Sequence, residues 1–288
     1  MMPDLRALEG YSFAGRRGLE IGPLCTPRIV KADAQVYYLD HCSTEDLKKK
    51  YAGDPNISID RIVQVDLIAD GRPLTAILGN KAPLDFVVAS HVIEHVPNLI
   101  GWLKEAEDAL VVDGVLALWI PDKRFTFDLL RRVTATEDIA AAHRERRRRP
   151  SLNCIVDHFA NVVSVECQQL WENYNVARSA TLAHSPGVWK SAAAQHEQGA
   201  YVDCHCWVFT PWSFLSLMGW ITSEWGLAFE LDHFEVTPLG DMQFMVRLRK
   251  SRSETSRTDW KGLAATVNAN APQPSFYEVV STDLGIDR

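Results

Sequence analysis

Four residues that bind or move protons fall directly after short apolar runs. Asp40 follows 35–39, Asp66 follows 61–65, His91 closes on 84–89 through Ser90, and Asp122 follows 115–120 through Pro121. A fifth run, 17–21, ends in Gly22-Pro23. A glycine immediately after a strand lets a ligand approach the backbone without a Cβ in the way. A carboxylate closing the next strand can accept both hydroxyls of a ribose. Asp40 follows Gly22 by 18 positions, near the roughly 20 expected of a nucleoside-binding β-α-β unit. Together with Asp66, this pattern points to a nucleoside site.

His91-Val92-Ile93-Glu94-His95 has the H-x-x-E-H spacing of inverted zincins. On a helix, His91 and His95 would share one face and hold Zn²⁺, with Glu94 as base, giving a zinc hydrolase. Two features weigh against that. The motif begins where a buried strand ends, and Pro97 follows two residues later. The alternative is a brace in which Glu94 and His95 hold the loop, and no resident metal is expected. Asp157-His158 and Asp203-Cys204-His205 form two further clusters. An imidazole neutral near its working pH suits removal of a hydroxyl proton, and the same pairs suit a divalent cation. Asp122 would orient an acceptor hydroxyl, with Lys123 and Arg124 meeting an anionic group. Trp171, Trp189, Trp207 and Trp212 offer either a stacking wall for a sugar or a piece of core. The arginine run 144–149 reads as a solvated helix end.

These groups need a frame. The first 120 residues alternate apolar runs with polar helical stretches, the mark of β-α-β construction. Strands are predicted at 17–21, 35–39, 61–65, 84–89 and 115–120. Helices are predicted at 43–51, capped by Ser43, and at 93–110 with an interruption near Pro97. An amphipathic helix at 213–225 precedes two strands, 229–236 and 243–248, that form an antiparallel finish. The expected organisation is a core of 1–120 and 211–250, a helical lid for the acceptor at 121–210, and a C-terminal tail at 251–288. That tail is rich in Ser, Thr, Asn, Ala and Pro and is expected to be mobile, with 276–280 docking back.

Composition narrows the partners. The chain has 288 residues, is 47% hydrophobic and carries a formal charge of −7, which argues against nucleic acid. No uncharged run reaches the roughly 20 residues of a membrane span. Asp4, Arg6 and Glu9 leave no apolar signal core, so a cytoplasmic protein is expected. Six cysteines without a CxxC pair read as free thiols. A second copy of the chain is left open as a partner.

LEIGP followed by YYLDH, VQVDL and DFVVASHVIEHVPN resembles class I S-adenosylmethionine-dependent methyltransferases, over about residues 15–122 and again at 229–248. The segment SHVIEHVPN, then a helix, GVLAL and IPD, is the most specific part. The resemblance implies a Rossmann-like three-layer α/β sandwich. Its seven-stranded sheet would be mostly parallel with an antiparallel last strand, and a helical insertion would follow the fifth strand. S-adenosyl-L-methionine would be the cofactor. Glu20, Gly22 and Pro23 would border its methionine end, and Asp40 would hold the ribose with His41 beside the adenosine. Asp66 and Leu67 would frame the adenine, and Ser90 and His91 would line the sulfonium. The family usually has GxGxG; here Leu24 stands where a second glycine is usual, and Pro27 shortens the first helix. The implied activity is methyl transfer to a small acceptor, a hydroxyl of a sugar or an anionic metabolite. The base would come from His91, His158 and His205, with Asp122 orienting. The alternatives are the zinc hydrolase and a catalytically silent adenosine-binding or scaffold protein.

Overall fold

The computed structural model describes residues 8–253 and 256–286, so Asp4 and Arg6 lie outside the described residues. In chain order the elements begin β1 (Arg17–Ile21), β2 (Gln35–Asp40), α1 (Thr44–Lys50), β3 (Leu67–Ile68), α2 (Leu74–Leu78), β4 (Leu84–Ser90), α3 (Leu99–Ala109) and β5 (Leu110–Pro121). An inserted region carries α4 (Thr136–Arg144), α5 (Leu152–Asn161), β6 (Val163–Ser164), α6 (Cys167–Glu172), β7 (Thr181–Leu182) and α7 (Val188–Glu197). The chain returns through α8 (Pro211–Trp225), β8 (Phe229–Glu235) and β9 (Gln243–Lys250), then adds α9 (Trp260–Asn270) and α10 (Tyr277–Leu284).

Seven strands form one sheet in the order β3-β2-β1-β4-β5-β9-β8, and β6 and β7 pair in a small ribbon of their own. The pairings from β3 to β5 are all parallel, while β9 runs antiparallel to both β5 and β8. This is the Rossmann-like α/β arrangement with its antiparallel last strand. Strand order reverses between β1 and β4: the chain moves outward to β2 and β3, then crosses back to β4. In open α/β sheets the ligand crevice lies at the carboxyl ends of strands at such a switch point.

The two sheet faces are covered differently. Leu19, Ile21, Val87, Ala89, Leu116 and Leu118 pack beneath α2, α3 and α8. Opposite them, Val36, Tyr38, Phe86, Val88, Ala117 and Trp119 lie under Leu8, Tyr11, Phe13 and Ile29. No helix follows β1 directly: Pro23 and Pro27 stand in the loop, and residues 22–34 form turns. Gly18 makes room for this second layer, because a Cβ there would fall 2.1 Å from the Phe86 ring. Caps set the helix ends. Ser43, Asn98 and Ser151 accept from the third backbone N–H of α1, α3 and α5, and Thr210 forms a capping box at α8.

Three sequence expectations shift. The third strand is not 61–65 but the two residues of β3, since Ile62 turns inward against Cys25 and Leu47. Asp66 therefore precedes its strand. The helix predicted at 93–110 begins as a single 3-10 turn, 93–95, and α3 starts only after Pro97. The segment after 250 is not a loose tail. Trp260 and Ala264 of α9 bury against α8, and Tyr277, Val280 and Ile286 join Phe125, Leu129 and Tyr174 of the insertion in one core.

Candidate active site at the carboxyl rim of the sheet

At the ends of β1 and β2 the geometry is fixed by backbone bonds. Gly22 adopts φ +66°, and a Cβ there would meet Val92 Cγ2 at 3.3 Å. Glu20 is buried beneath the loop and accepts from the N–H groups of Arg28 (2.7 Å) and Ile29 (2.9 Å). Burial pushes its carboxyl up to about 7, against those two bonds. Glu20 thus anchors the loop that replaces the first helix. Arg28, carried by that loop, donates to Ser90 Oγ (2.9 Å) and lies over the Trp119 ring, 4.8 Å from its centroid. Asp40 is 7% exposed at the end of β2. Its Oδ1 meets the His41 N–H (2.7 Å) and His41 Nδ1 (2.6 Å), which leaves Oδ2 for a ligand. Asp66 is committed elsewhere, with Oδ2 accepting from Tyr38 N–H (2.9 Å) and Oδ1 pairing with Lys31 (2.7 Å). It bonds to β2 because it precedes β3. Leu67 lies within β3, half-buried.

A second group of polar residues gathers where β4 ends beneath the insertion. His91 sits at φ +53°, a left-handed conformation uncommon for a residue with a Cβ. Its Nε2 lies 2.8 Å from Gln243 Oε1, and its Nδ1 is 3.5 Å from Glu94. That turn, followed by a single 3-10 turn, removes the shared helical face that the H-x-x-E-H reading required. His95 instead faces His205, their rings meeting edge to face at 4.7 Å. Asp203 bonds His95 Nδ1 at 2.9 Å, and Asp128 bonds His205 Nδ1 at 2.6 Å. Burial opposes a charged His95, but Asp203 and Glu94 outweigh it and raise its pKa. Burial would also raise Asp128; His205 and Arg131 overcome it and hold the carboxyl at about 2. Arg131 ties the cluster together, bonding Asp128 (2.6 Å), Asp157 (2.8 Å) and the His205 carbonyl (2.9 Å). His158 stands beside it, and burial together with Arg131 pushes its imidazole down to about 3.

Asp122 is engaged inside the fold. It is 0% exposed. Its carboxylate accepts from Arg124 N, Nε and Nη2 at 2.6–3.0 Å and from Thr237 Oγ1 at 2.6 Å. Arg124 is equally buried, and Lys123 donates to the Ile286 carbonyl. The charged loop expected to greet an anion is thus the packed joint between β5, the insertion and the C-terminal segment. Two of the four tryptophans belong to the packed interior. Trp171 stacks on Phe125 at 3.9 Å, and Trp207 is buried with its Nε1 donating to Val96. The arginine run closes α4, with Arg147 on Glu145 and Arg149 on backbone carbonyls of the α7 end. All six cysteines are free thiols. A cleft of about 980 Å³ lies between α8 and α9, and none of these groups lines it.

No family model matches the chain, and no curated protein matches it. Solved structures overlap it at low identity. A provisionally named zinc-dependent alcohol dehydrogenase from Rhodobacter sphaeroides shares 14% identity, with 86% of this chain and 90% of that chain covered and a TM-score of 0.46. A provisionally named hemolysin from Streptococcus thermophilus shares 12%, covering 92% and 71%, with a TM-score of 0.41. The CcbJ methyltransferase from Streptomyces caelestis shares 11%, covering 82% and 89%, with a TM-score of 0.39. Overlap at this level decides no activity.

The sequence singled out neither Arg28 nor the Asp128–Arg131 pair. The second had a readable signal, since an Asp and an Arg three apart can pair on one turn. Arg28 had none, because only the missing first helix brings it back to β4.

Proposed function

We propose that this protein transfers a methyl group from S-adenosylmethionine to a hydroxyl of a small acceptor, of sugar or related metabolite type. The observation that carries the reading is the pairing of Gly22 with Asp40 on the two strand ends beside the switch point of a β3-β2-β1-β4-β5-β9-β8 sheet. Asp40 Oδ2 suits the ribose hydroxyls. Arg28, next to Ser90, suits the carboxylate of the methionine moiety. Glu20 serves the backbone, and Asp66 the Tyr38 N–H and Lys31, so they position rather than contact the cofactor. When bound, the cofactor supplies an activated methyl on sulfur.

The chain's own part is alignment and proton removal in a shielded space, where much of such a displacement's rate originates. The acceptor would lie under the insertion, facing His95 and His205. Each of these rings has Nδ1 held by a carboxylate, which leaves Nε2 to take the hydroxyl proton. His158, pushed to about 3, accepts a hydrogen bond but does not hold a proton near neutrality.

Calorimetry with S-adenosylhomocysteine tests the reading. Wild type should bind it, and Asp40→Ala should weaken binding roughly 10- to 150-fold, the loss of one charged hydrogen-bond acceptor. Absence of binding to the wild type refutes the proposal. Binding without turnover of any hydroxylated acceptor identifies a silent adenosine binder.

A further inference from the structure

Beneath the insertion, three donors from two stretches of chain face one another. One carboxylate oxygen of Glu94 and one ring nitrogen from each of His95 and His205 all lie within 4.8 Å of one another. Glu94 is 0% exposed, and neither of its oxygens has a hydrogen-bond partner among the described residues. A buried carboxylate without donors is costly unless a cation lies against it. The closest ring nitrogen recorded beside it, His91 Nδ1 at 3.5 Å, is too far for a strong bond.

The surroundings match what an ion would need. His95 Nδ1 is held by Asp203 and His205 Nδ1 by Asp128, at 2.9 Å and 2.6 Å. Carboxylates in that position fix the ring of a metal-ligating histidine and raise its basicity. The backbone holds the same corner, because the Glu94 carbonyl accepts from the N–H of Cys206, next to His205.

We infer that Glu94, His95 and His205 form a binding site for a divalent transition-metal ion of the zinc class. The ligands are one carboxylate oxygen and the two Nε2 atoms. Two imidazoles and one carboxylate favour Zn²⁺ and its neighbours over Mg²⁺ or Ca²⁺, which take all-oxygen sets. Bonds of about 2.1 Å place tetrahedral donors roughly 3.4 Å apart. Three donors within 4.8 Å therefore close by at most about 1.4 Å on binding. With three protein ligands, the fourth position stays open, as in zinc sites that act on a bound oxygen. This differs from the sequence expectation of no metal, and also from the zincin pattern: His205 takes the place assigned to His91. The ion and an acceptor proton would compete for the same two Nε2 atoms, so with the ion bound these rings do not act as bases.

The test uses the full chain stripped of metal by chelator and titrated with Zn²⁺, with Mg²⁺ as comparison. One equivalent of Zn²⁺ should bind, and Mg²⁺ should not compete. Glu94→Gln and His95→Gln should each weaken binding at least about 100-fold, and Asp203→Asn about 10- to 100-fold. Asp203 has an exposed side chain, so its variant keeps the assay meaningful if a buried substitution unfolds. Cys204→Ser/Cys206→Ser should bind as wild type does. The inference fails if wild type binds no stoichiometric Zn²⁺. It also fails if Asp203→Asn binds as wild type does, or if only the cysteine variant loses the ion. Homocysteine-nucleoside binding is measured on the same samples. Zinc bound without it leaves this site standing and removes the methyl-transfer reading; the reverse removes this site alone.

Discussion

Asp122→Asn should unfold the protein early rather than slow it. The carboxylate is fully buried and takes four hydrogen bonds from Arg124 and one from Thr237. Arg124 Nη1 has no hydrogen-bond partner among the described residues, and the guanidinium lies among Phe125, Trp212 and Tyr277, 4.7–5.6 Å from their ring centroids. Asp122 is thus the anion recorded against that charge. An asparagine keeps the shape, removes the charge and turns an amide toward donors. Removing one partner of a buried ion pair costs about 3–5 kcal/mol. At roughly 2–3 °C per kcal/mol for a chain of this size, the melting temperature should fall by about 6–15 °C. Replacing both partners, as in Asp122→Leu/Arg124→Leu, should recover much of that loss. Thermal melts by circular dichroism, with cofactor affinity measured at low temperature, decide the matter. A variant melting within about 2 °C of wild type while losing turnover would refute this, and would return Asp122 to the acceptor role its sequence position suggested.

Two further outcomes follow from burial. His158 titrates at about 3 in the fold against about 6.5 when unfolded. Its neutral burial contributes fully above pH 6.5 and is lost as pH falls toward 3, so acidification from pH 6.5 to 4.5 should cost up to about 2–3 kcal/mol. Denaturant melts across that range should show a shallower slope for His158→Gln; identical slopes count against the assignment. Gly219 of α8 has Trp260 against it, and an added Cβ would fall 2.8 Å from the Trp260 Cβ. Gly219→Leu should therefore displace α9 at a cost of about 1–3 kcal/mol, seen as faster proteolysis after residue 250. Unchanged protection would mean that α9 does not depend on that contact.

The parallel sheet was legible because its strands are buried on both faces. Runs such as the stretch 86–89 in β4 read as continuous apolar segments. β3 was not legible: two residues of ladder carry no period, and the apolar stretch before it packs sideways against Cys25 and Leu47. Position after a strand correctly located Asp40 and His91 at the rim, but it does not say where a side chain spends its hydrogen bonds. Glu20 spends its bonds on backbone N–H groups, Asp66 on the Tyr38 N–H and Lys31, and Asp122 on Arg124 and Thr237. Nor could spacing join His95 to His205, which are brought together only when the insertion folds over β4. The helices after 250 were missed for a related reason. Their composition is that of a linker, and a few large residues, Trp260, Tyr277 and Ile286, carry the docking.

The glycine-poor segment after Gly22 has a physical counterpart in Arg28. A helix starting after β1 would turn its positive end toward an anionic group at the rim. Here prolines forbid that helix, Glu20 pins the loop by two N–H bonds, and the loop returns a full guanidinium to Ser90 at the end of β4. If Arg28 receives the methionine carboxylate, the charge matters only to ligands that carry one. Arg28→Met keeps an unbranched side chain over the Trp119 ring and removes the charge. S-adenosylhomocysteine should then bind roughly 10- to 150-fold more weakly, while methylthioadenosine, which lacks the amino acid, should change by no more than about twofold. Equal weakening of both ligands would assign Arg28 to holding the loop. Weakening of neither would place the methionine end elsewhere on the rim.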